Sequence, residues 1–273
     1  LANFDGKNEI LVRLDNNDNA ISGPKPMENL DFNMYGGLYR DAHLIIKDRL
    51  HLTDPILANK VAGGGVFVQY EEVSTKSAKI KVKTNIENLY NKTKSFNLVH
   101  ELWRDKDLIS SSKSKIIEIS SNKDIDYSND LLVNNPMLWS PDSPSLYKLK
   151  TKIISDNIIV DEAESSIGIR DIKITNDSFI INGEKTFLRG INRHQEYPYV
   201  GYALSNNAQY RDAVKIKEAG FDYVRLSHYP HANAFMDACD ELGLVVIDAI
   251  LGWQYYSDNP EFEAHQYKAS RDL

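Results

Sequence analysis

A chain of 273 residues with a net charge of −7 and a pI near 5.5 is long enough for two or three domains with cores of their own. The acidic balance argues against nucleic acid or an anionic membrane as a partner, and no apolar run approaches the roughly 18 residues of a membrane span. One cysteine, Cys239, excludes an internal disulfide, and its place on the apolar face of a predicted helix makes it a small buried hydrophobe rather than a reactive thiol.

In chain order, residues 8–14 and Leu38 to Lys47 read as strands separated by a polar loop, Asp15 to Asp31. Two strands are marginal alone, so residues 1–50 are expected to be the remnant of a β-sandwich. Residues 51–171 are patterned throughout with period two. Ala78, Ile80, Val82, Thr84 and Ile86 alternate with polar residues, as do Phe96, Leu98, His100 and Leu102, with turns at Asn91-Lys92 and Asp105-Lys-Asp107. About seven short strands over this length fit an immunoglobulin-like sandwich. Gly63-Gly-Gly65 is a strand-entry loop, since no helix or Lys-Ser/Thr follows to make it a phosphate loop.

From residue 172 the pattern changes. Phe179-Ile-Ile-Asn-Gly-Glu-Lys-Thr-Phe187 is a hairpin around Asn182-Gly183, the preferred type I′ pair. Three strand–helix units follow. Lys185 to His194 is a strand, after which Ser205 N-caps a helix that stops at Gly220. Tyr223, Val224 and Leu226 form the next strand, with Arg225, Ser227 and His228 at its end. Its helix carries Phe235, Met236, Cys239 and Leu242 on one face and closes at Gly243. Leu244 to Ile247 is the third strand and ends in Asp248, and Asn259-Pro260 opens a last helix with Phe262, His265, Ala269 and Leu273 on one face. Repeats of this kind build a doubly wound sheet or a (β/α)8 barrel, and three units cannot close a barrel. In either fold, ligands bind at the ends of the strands.

Five segments carry a resemblance. Met34-Tyr-Gly-Gly-Leu-Tyr-Arg-Asp41, Leu138-Trp-Ser-Pro-Asp-Ser-Pro-Ser-Leu-Tyr147, Leu188-Arg-Gly-Ile-Asn-Arg-His-Gln195, Val224-Arg-Leu-Ser-His-Tyr-Pro230 and Asp240-Glu-Leu-Gly-Leu-Val-Val-Ile-Asp248 resemble signatures of glycoside hydrolase family 2, in the family's order and over nearly the whole chain. The family contains β-galactosidases, β-glucuronidases and β-mannosidases, and Arg193-His194-Gln195 leans towards the first. The resemblance implies a multidomain β then α/β chain. Residues 1–50 would end a jelly-roll sugar-binding domain, residues 51–171 form the immunoglobulin-like sandwich, with Leu138 to Tyr147 a late strand of it, and residues 172–273 hold the first three units of a (β/α)8 TIM barrel whose floor the hairpin caps.

Retaining glycosidases use two carboxyl groups about 5 Å apart, one as acid/base and one as nucleophile. The resemblance implies two glutamates on later barrel strands, the first in an Asn-Glu pair. Asn8-Glu9, Glu87-Asn88 and Met27-Glu28-Asn29 all lie in β context and do not fit, so the pair is expected beyond Leu273, leaving this stretch inactive alone. The substrate-binding residues expected by resemblance are His194 and His228 in the sugar subsite, Arg225 beside the catalytic carboxylates, Asp248 at the third strand's end, and Asp18 reaching over from the jelly-roll loop. Trp253 offers a stacking face or rim packing. Arg193 is expected in a structural ion pair. Glu196 either approaches substrate or is a solvated loop residue; Glu241 is surface, and Glu261 and Glu263 suit a helix's first turn by charge.

The implied partner is an oligosaccharide or other β-glycoside, without nucleic acid or membrane; self-association of the intact protein is left open. No leader pattern begins the sequence, but Leu1-Ala-Asn-Phe-Asp5 reads as the middle of a domain, and a bacterial periplasm or cytoplasm is the expected location. A non-catalytic carbohydrate-binding or scaffold module is the competing reading, as is a β-glucuronidase or β-mannosidase of the same family. A metal-dependent hydrolase barrel is disfavoured because Asn192-Arg193-His194 supplies no His-x-His. No cofactor is expected, and no metal: where certain β-galactosidases carry a magnesium-binding Glu-x-His, this chain has Gly252-Trp253-Gln254. Magnesium usually needs one or two carboxylates, so glycosidase activity of the intact protein should survive EDTA; activity lost to the chelator and restored by magnesium would count against this.

Overall fold

The computed structural model describes every residue except 1, 2, 4, 18, 23–29, 31, 251–254 and 273. Strands β1 (Leu50–Leu52), β2 (Val66–Glu71), β3 (Ser77–Asn88), β4 (Lys94–Arg104), β5 (Asp107–Lys113), β6 (Ile117–Ile119) and β7 (Lys123–Asn134) come first. A short ribbon, β8 (Trp139–Ser140) with β9 (Ser143–Pro144), leads to β10 (Tyr147–Ser155) and β11 (Ile158–Ile167). They make two antiparallel sheets, β1-β3-β2 with β7 on β3, and β11-β10-β4-β5 with β6 on β4. Nine strands in these two sheets, rather than about seven, build the sandwich; the extra ones are three-residue pieces such as β1 and β6, too short to leave a periodic signal.

The alternation read from β3 and β4 is the register of the core. Ala78, Ile80, Val82 and Leu102 pack with Leu131 and Leu149 in one apolar cluster; Ile86, Phe96, Leu98 and Ile153 pack with Leu50 and Leu52 in another. Thr84, His100 and Thr151 occupy the same inward faces between the two clusters. His100 is fully buried, and its ring bonds Thr84 Oγ1 across the sheets at 2.9 Å through Nε2 and Asn129 Nδ2 at 3.2 Å through Nδ1. Because Asn129 Nδ2 can only donate, Nδ1 accepts and Nε2 carries the proton.

The N-terminal stretch departs from expectation. Neither residues 8–14 nor Leu38 to Lys47 form strands; the described residues before β1 carry no helix or strand. Strand character needs a sheet to pair with and a face to bury, and Ile10, Leu11, Leu44, Ile45 and Ile46 are all exposed. Likewise Leu138 to Tyr147 is not a continuous sandwich strand: it holds the β8–β9 ribbon, and Tyr147 begins β10.

Next come β12 (Ile172–Ile174), β13 (Phe179–Ile181) and β14 (Glu184–Thr186), the last two joined by Asn182-Gly183 with both φ positive. The stretch from Lys185 to His194 is split between this hairpin and β15 (Gly190–Arg193). Then follow α1 (Asn206–Glu218), β16 (Tyr223–Leu226), α2 (Asn233–Leu242), β17 (Val245–Ile247) and α3 (Pro260–Asp272). Strands β15, β16 and β17 are parallel and adjacent, with Asn192 level with Arg225 and Arg225 level with Ile247. The Ser205 hydroxyl caps α1 by accepting from Ala208 N, and Gly243 ends α2 in the left-handed region at φ 75°.

The ribbon fastens the sandwich to the α/β units. Trp139 Nε1 donates to the Asp240 carbonyl at 2.8 Å. Lys217 Nζ donates to the Pro141 and Gly243 carbonyls and to Asp222 Oδ1 at 3.0, 3.1 and 2.8 Å, joining ribbon, α1 and α2. A Cβ on Gly243 would lie 2.3 Å from the Pro141 carbonyl oxygen, so this helix end requires glycine for contact as well as for φ.

Burial pushes the His100 pKa down from 6.5 to about 4. Its folded value lies below its unfolded one, so its contribution is complete above pH 6.5 and is lost as the pH falls towards 4. Between pH 7 and pH 5 this amounts to about 2 kcal/mol at ~1.4 kcal/mol per pH unit. Urea unfolding at the two pH values should show wild type losing that much more than His100→Val; parallel losses would remove His100 from the acid sensitivity.

Candidate active site at the strand ends

Parallel pairing in register brings the ends of β15, β16 and β17 to one level, and this positions the polar residues that follow them. Arg225, His228 and Asp248 line a single cavity of about 560 Å³, within the range of about 300–1,000 Å³ common for small-ligand sites. The opposite wall comes from the loop after β17 and the first turns of α3: Tyr255, Tyr256, Phe262, Glu263, Gln266 and Tyr267. Tyr255 stands edge-on to the buried Phe262 ring at 5.3 Å, which fixes its orientation. Asp248 is exposed at the rim, where Oδ1 accepts from Ala249 N at 2.7 Å.

His194 stands beside this group. Its ring is 5.2 Å from the His228 ring in a T-shaped arrangement, and Phe32 covers both at 5.2 and 5.5 Å. Tyr229 lies behind, with its hydroxyl 3.4 Å from His194 Nδ1 and its own pKa raised by burial.

Arg193 supports the site from beneath. It is 6 % exposed. Nη2 donates to Asp212 Oδ2 and Gln209 Oε1, both at 2.8 Å, Nη1 faces His231 Nδ1 at 3.0 Å, and the guanidinium lies 3.9 Å from the centre of the Phe235 ring. Burial and then the Arg193 charge push the His231 pKa down to about 3, so the ring is neutral and Nδ1 accepts from the guanidinium. This ties β15, α1 and α2 to the loop that carries His228. Gln195, also buried, accepts from the Ala232 backbone N–H with Oε1 at 3.0 Å, supplying the cap that α2 lacks.

Of the residues singled out from sequence, Arg225, His228 and Asp248 share the cavity and His194 adjoins it. Asp18 and Trp253, with Gly252 and Gln254, lie outside the described residues. Glu196 is not at the cavity wall; it is a partly exposed loop residue whose Oε1 accepts from Asn33 Nδ2 and the Tyr35 hydroxyl. Glu263 sits in the first turn of α3, as its charge suggests, and also lines the cavity, while Glu241 is exposed. Tyr255 and Tyr256 were missed; the signal was two adjacent tyrosines just past a strand end. Cys239 is buried with its pKa pushed up to about 12, as fits a packing residue. Among the described residues no cluster of three or more His, Cys, Asp or Glu is arranged to hold a metal ion.

Comparison with known proteins finds two adjoining matches. The model of glycosyl hydrolases family 2 matches residues 62–170, and that family's TIM barrel domain matches residues 172–267. A β-galactosidase of Thermoanaerobacterium thermosulfurigenes is 35% identical over 266 residues, covering 92% of this chain and 34% of the relative. A β-galactosidase of Thermoanaerobacter pseudethanolicus is 33% identical over 254 residues, covering 92% and 32%. The crystal structure of a Bacteroides uniformis β-glucuronidase superposes with a TM-score of 0.80 at 27% identity, covering 90% of this chain and 30% of that one. The chain thus spans about a third of the length of the curated relatives it matches.

Removing one partner of a buried ion pair typically costs about 3–5 kcal/mol. Arg193→Leu should therefore lower stability by about that amount, and Arg193→Lys should restore little of it, because an ammonium cannot span Asp212, Gln209 and His231 together. Guanidinium denaturation of the purified variants checks this; a loss below about 1 kcal/mol would mean that the network carries little of the fold.

Proposed function

We propose that this chain, which belongs to glycosyl hydrolases family 2, is the part of an exo-acting retaining β-glycosidase that binds the terminal sugar, with β-galactosides as its substrates. The observation that carries the reading is the convergence of Arg225, His228 and Asp248 on one tyrosine-walled cavity at the ends of adjacent parallel strands. In a double displacement, one carboxyl group protonates the leaving oxygen while a second attacks the anomeric carbon, and the glycosyl-enzyme so formed is then hydrolysed. We assign that carboxylate pair to residues beyond this sequence. The Arg225 guanidinium would keep the nucleophile ionised by favouring its charged form. His194 and His228 would hydrogen-bond sugar hydroxyls, and Tyr255 and Tyr256 would offer flat apolar faces to the sugar's C–H groups. Two curated β-galactosidases at 33% and 35% identity support a galactoside substrate, and β-glucuronidases at 31% and 30% make glucuronides the alternative to test.

In the intact protein, Arg225→Ala and His228→Ala should each lower kcat/KM on an aryl β-galactoside by about 100-fold, as expected when a transition-state hydrogen bond or charge contact is lost. Thermal midpoints should move little for Arg225→Ala, whose side chain is only half-buried. Aryl β-glucuronide and β-mannoside assayed in parallel test the sugar. Preferential turnover of either would reassign specificity within the family, and variants that keep full activity would remove these residues from the site.

A further inference from the structure

The segment 32–41 crosses the strand-end face of the α/β units and is held there at separate points. Tyr202 Oη donates to the Asn33 carbonyl at 2.6 Å, and Arg40 Nη2 donates to the Pro230 carbonyl at 2.6 Å. At a third point Glu196 Oε1 accepts from Asn33 Nδ2 and from the Tyr35 hydroxyl, both at 2.8 Å. The Tyr35 ring is seated edge-on to Tyr202 at 4.8 Å. Gly201 makes room for it: a Cβ there would lie 2.8 Å from the Tyr35 ring. The seat and the segment are thus shaped for each other, although more than 160 residues separate Tyr35 from Glu196 in sequence.

Glu196 lies two residues past His194, on the same strand end, so the anchor and the candidate subsite share one support. Phe32, one residue before the anchored Asn33, is the side chain that covers His194 and His228. We propose that Glu196 is a positioning residue whose carboxylate latches the segment 32–41 across the strand ends, so that Phe32 walls the subsite of His194 and His228. The kinetic consequence rests on the glycosidase reading above; the latch itself does not. The Asn33 and Tyr35 bonds hold the Glu196 carboxyl below the usual range, and the Glu196 bond raises the Tyr35 phenol, so both groups carry the protonation state the latch needs near neutral pH.

A residue that acts by holding a wall in place changes the fraction of molecules competent to bind, so its loss raises KM and spares kcat. The intact protein is compared as wild type, E196A, E196Q and Tyr35→Phe, by hydrogen exchange over residues 32–41 and by turnover of an aryl β-galactoside. E196A should speed exchange in that segment by about tenfold or more, since local opening sets the rate. E196Q should stay within about threefold of wild type, because the amide oxygen still accepts, and Tyr35→Phe should fall between. KM should rise about tenfold in E196A with kcat changed less than about threefold. Unchanged exchange and KM in a folded E196A would overturn the latch, as would a loss of kcat with exchange unaltered, which would put Glu196 in the chemistry. If E196A does not fold, Tyr35→Phe, which removes only a hydroxyl from a half-exposed ring, decides by the same two readouts. Faster exchange in E196A from a protein that hydrolyses no glycoside would leave the latch standing and reject the glycosidase reading.

Discussion

The candidate site depends on one buried charge. A guanidinium taken out of water is costly unless ion pairs, hydrogen bonds and ring faces replace its hydration. Arg193 is matched by Asp212 and Gln209 on α1, by His231 ahead of α2, and by the face of Phe235. The partners come from α1 and from the start of α2 with the loop before it, so satisfying the charge fixes where those pieces meet β15. His228 belongs to the loop so fixed, and His194 follows Arg193 directly. The polar residues above the strand ends inherit their geometry from the cation below them, while the burial that forces this arrangement also keeps His231 neutral and able to accept.

A similar economy governs the junction between the sandwich and the α/β units. The ribbon around Trp139 and Pro141 presents backbone carbonyls, and these need donors. Lys217 satisfies Pro141 and Gly243 together, with Asp222 balancing its charge, while the Trp139 indole serves the last turn of α2. Polar demands on each side are met by the other. Asn182 joins the same contact by donating from Nδ2 to the Trp139 carbonyl, so the hairpin, the sandwich and the second α/β unit meet at one residue.

What could be read from sequence follows the range of the forces involved. Period-two alternation on β3 and β4, the Ser205 cap, the left-handed stop at Gly243, the Asn182-Gly183 turn and the Pro260 helix start are all settled within a few residues, and each was legible. The meeting of Arg225, His228 and Asp248 was legible one level higher, because parallel strand–helix units deliver their strand ends to one face. The Glu196 bonds, the docking of Trp139 and the tyrosine wall were not, since each joins segments whose proximity no local pattern encodes. The apolar stretches at 8–14 and 38–47 failed in the opposite sense: they have the composition of strands but no sheet to pair with among the described residues. Composition proposes a strand, and a partner is needed to make one.

The polar layer inside the sandwich bears on how the two sheets find their alignment. Alternation alone forbids a slip of one residue, which would turn a strand's apolar side chains outwards, but it permits a slip of two, which preserves the inward face. Thr84 and His100 break that degeneracy. Moved two residues along β3, His100 would face Val82 or Ile86 instead of Thr84, and its ring N–H would be buried against hydrocarbon. Two apolar clusters that could otherwise merge in several offsets are thereby indexed by the two bonds of one imidazole, to Thr84 and to Asn129, a mark that breaks the two-residue repeat of the hydrophobic pattern.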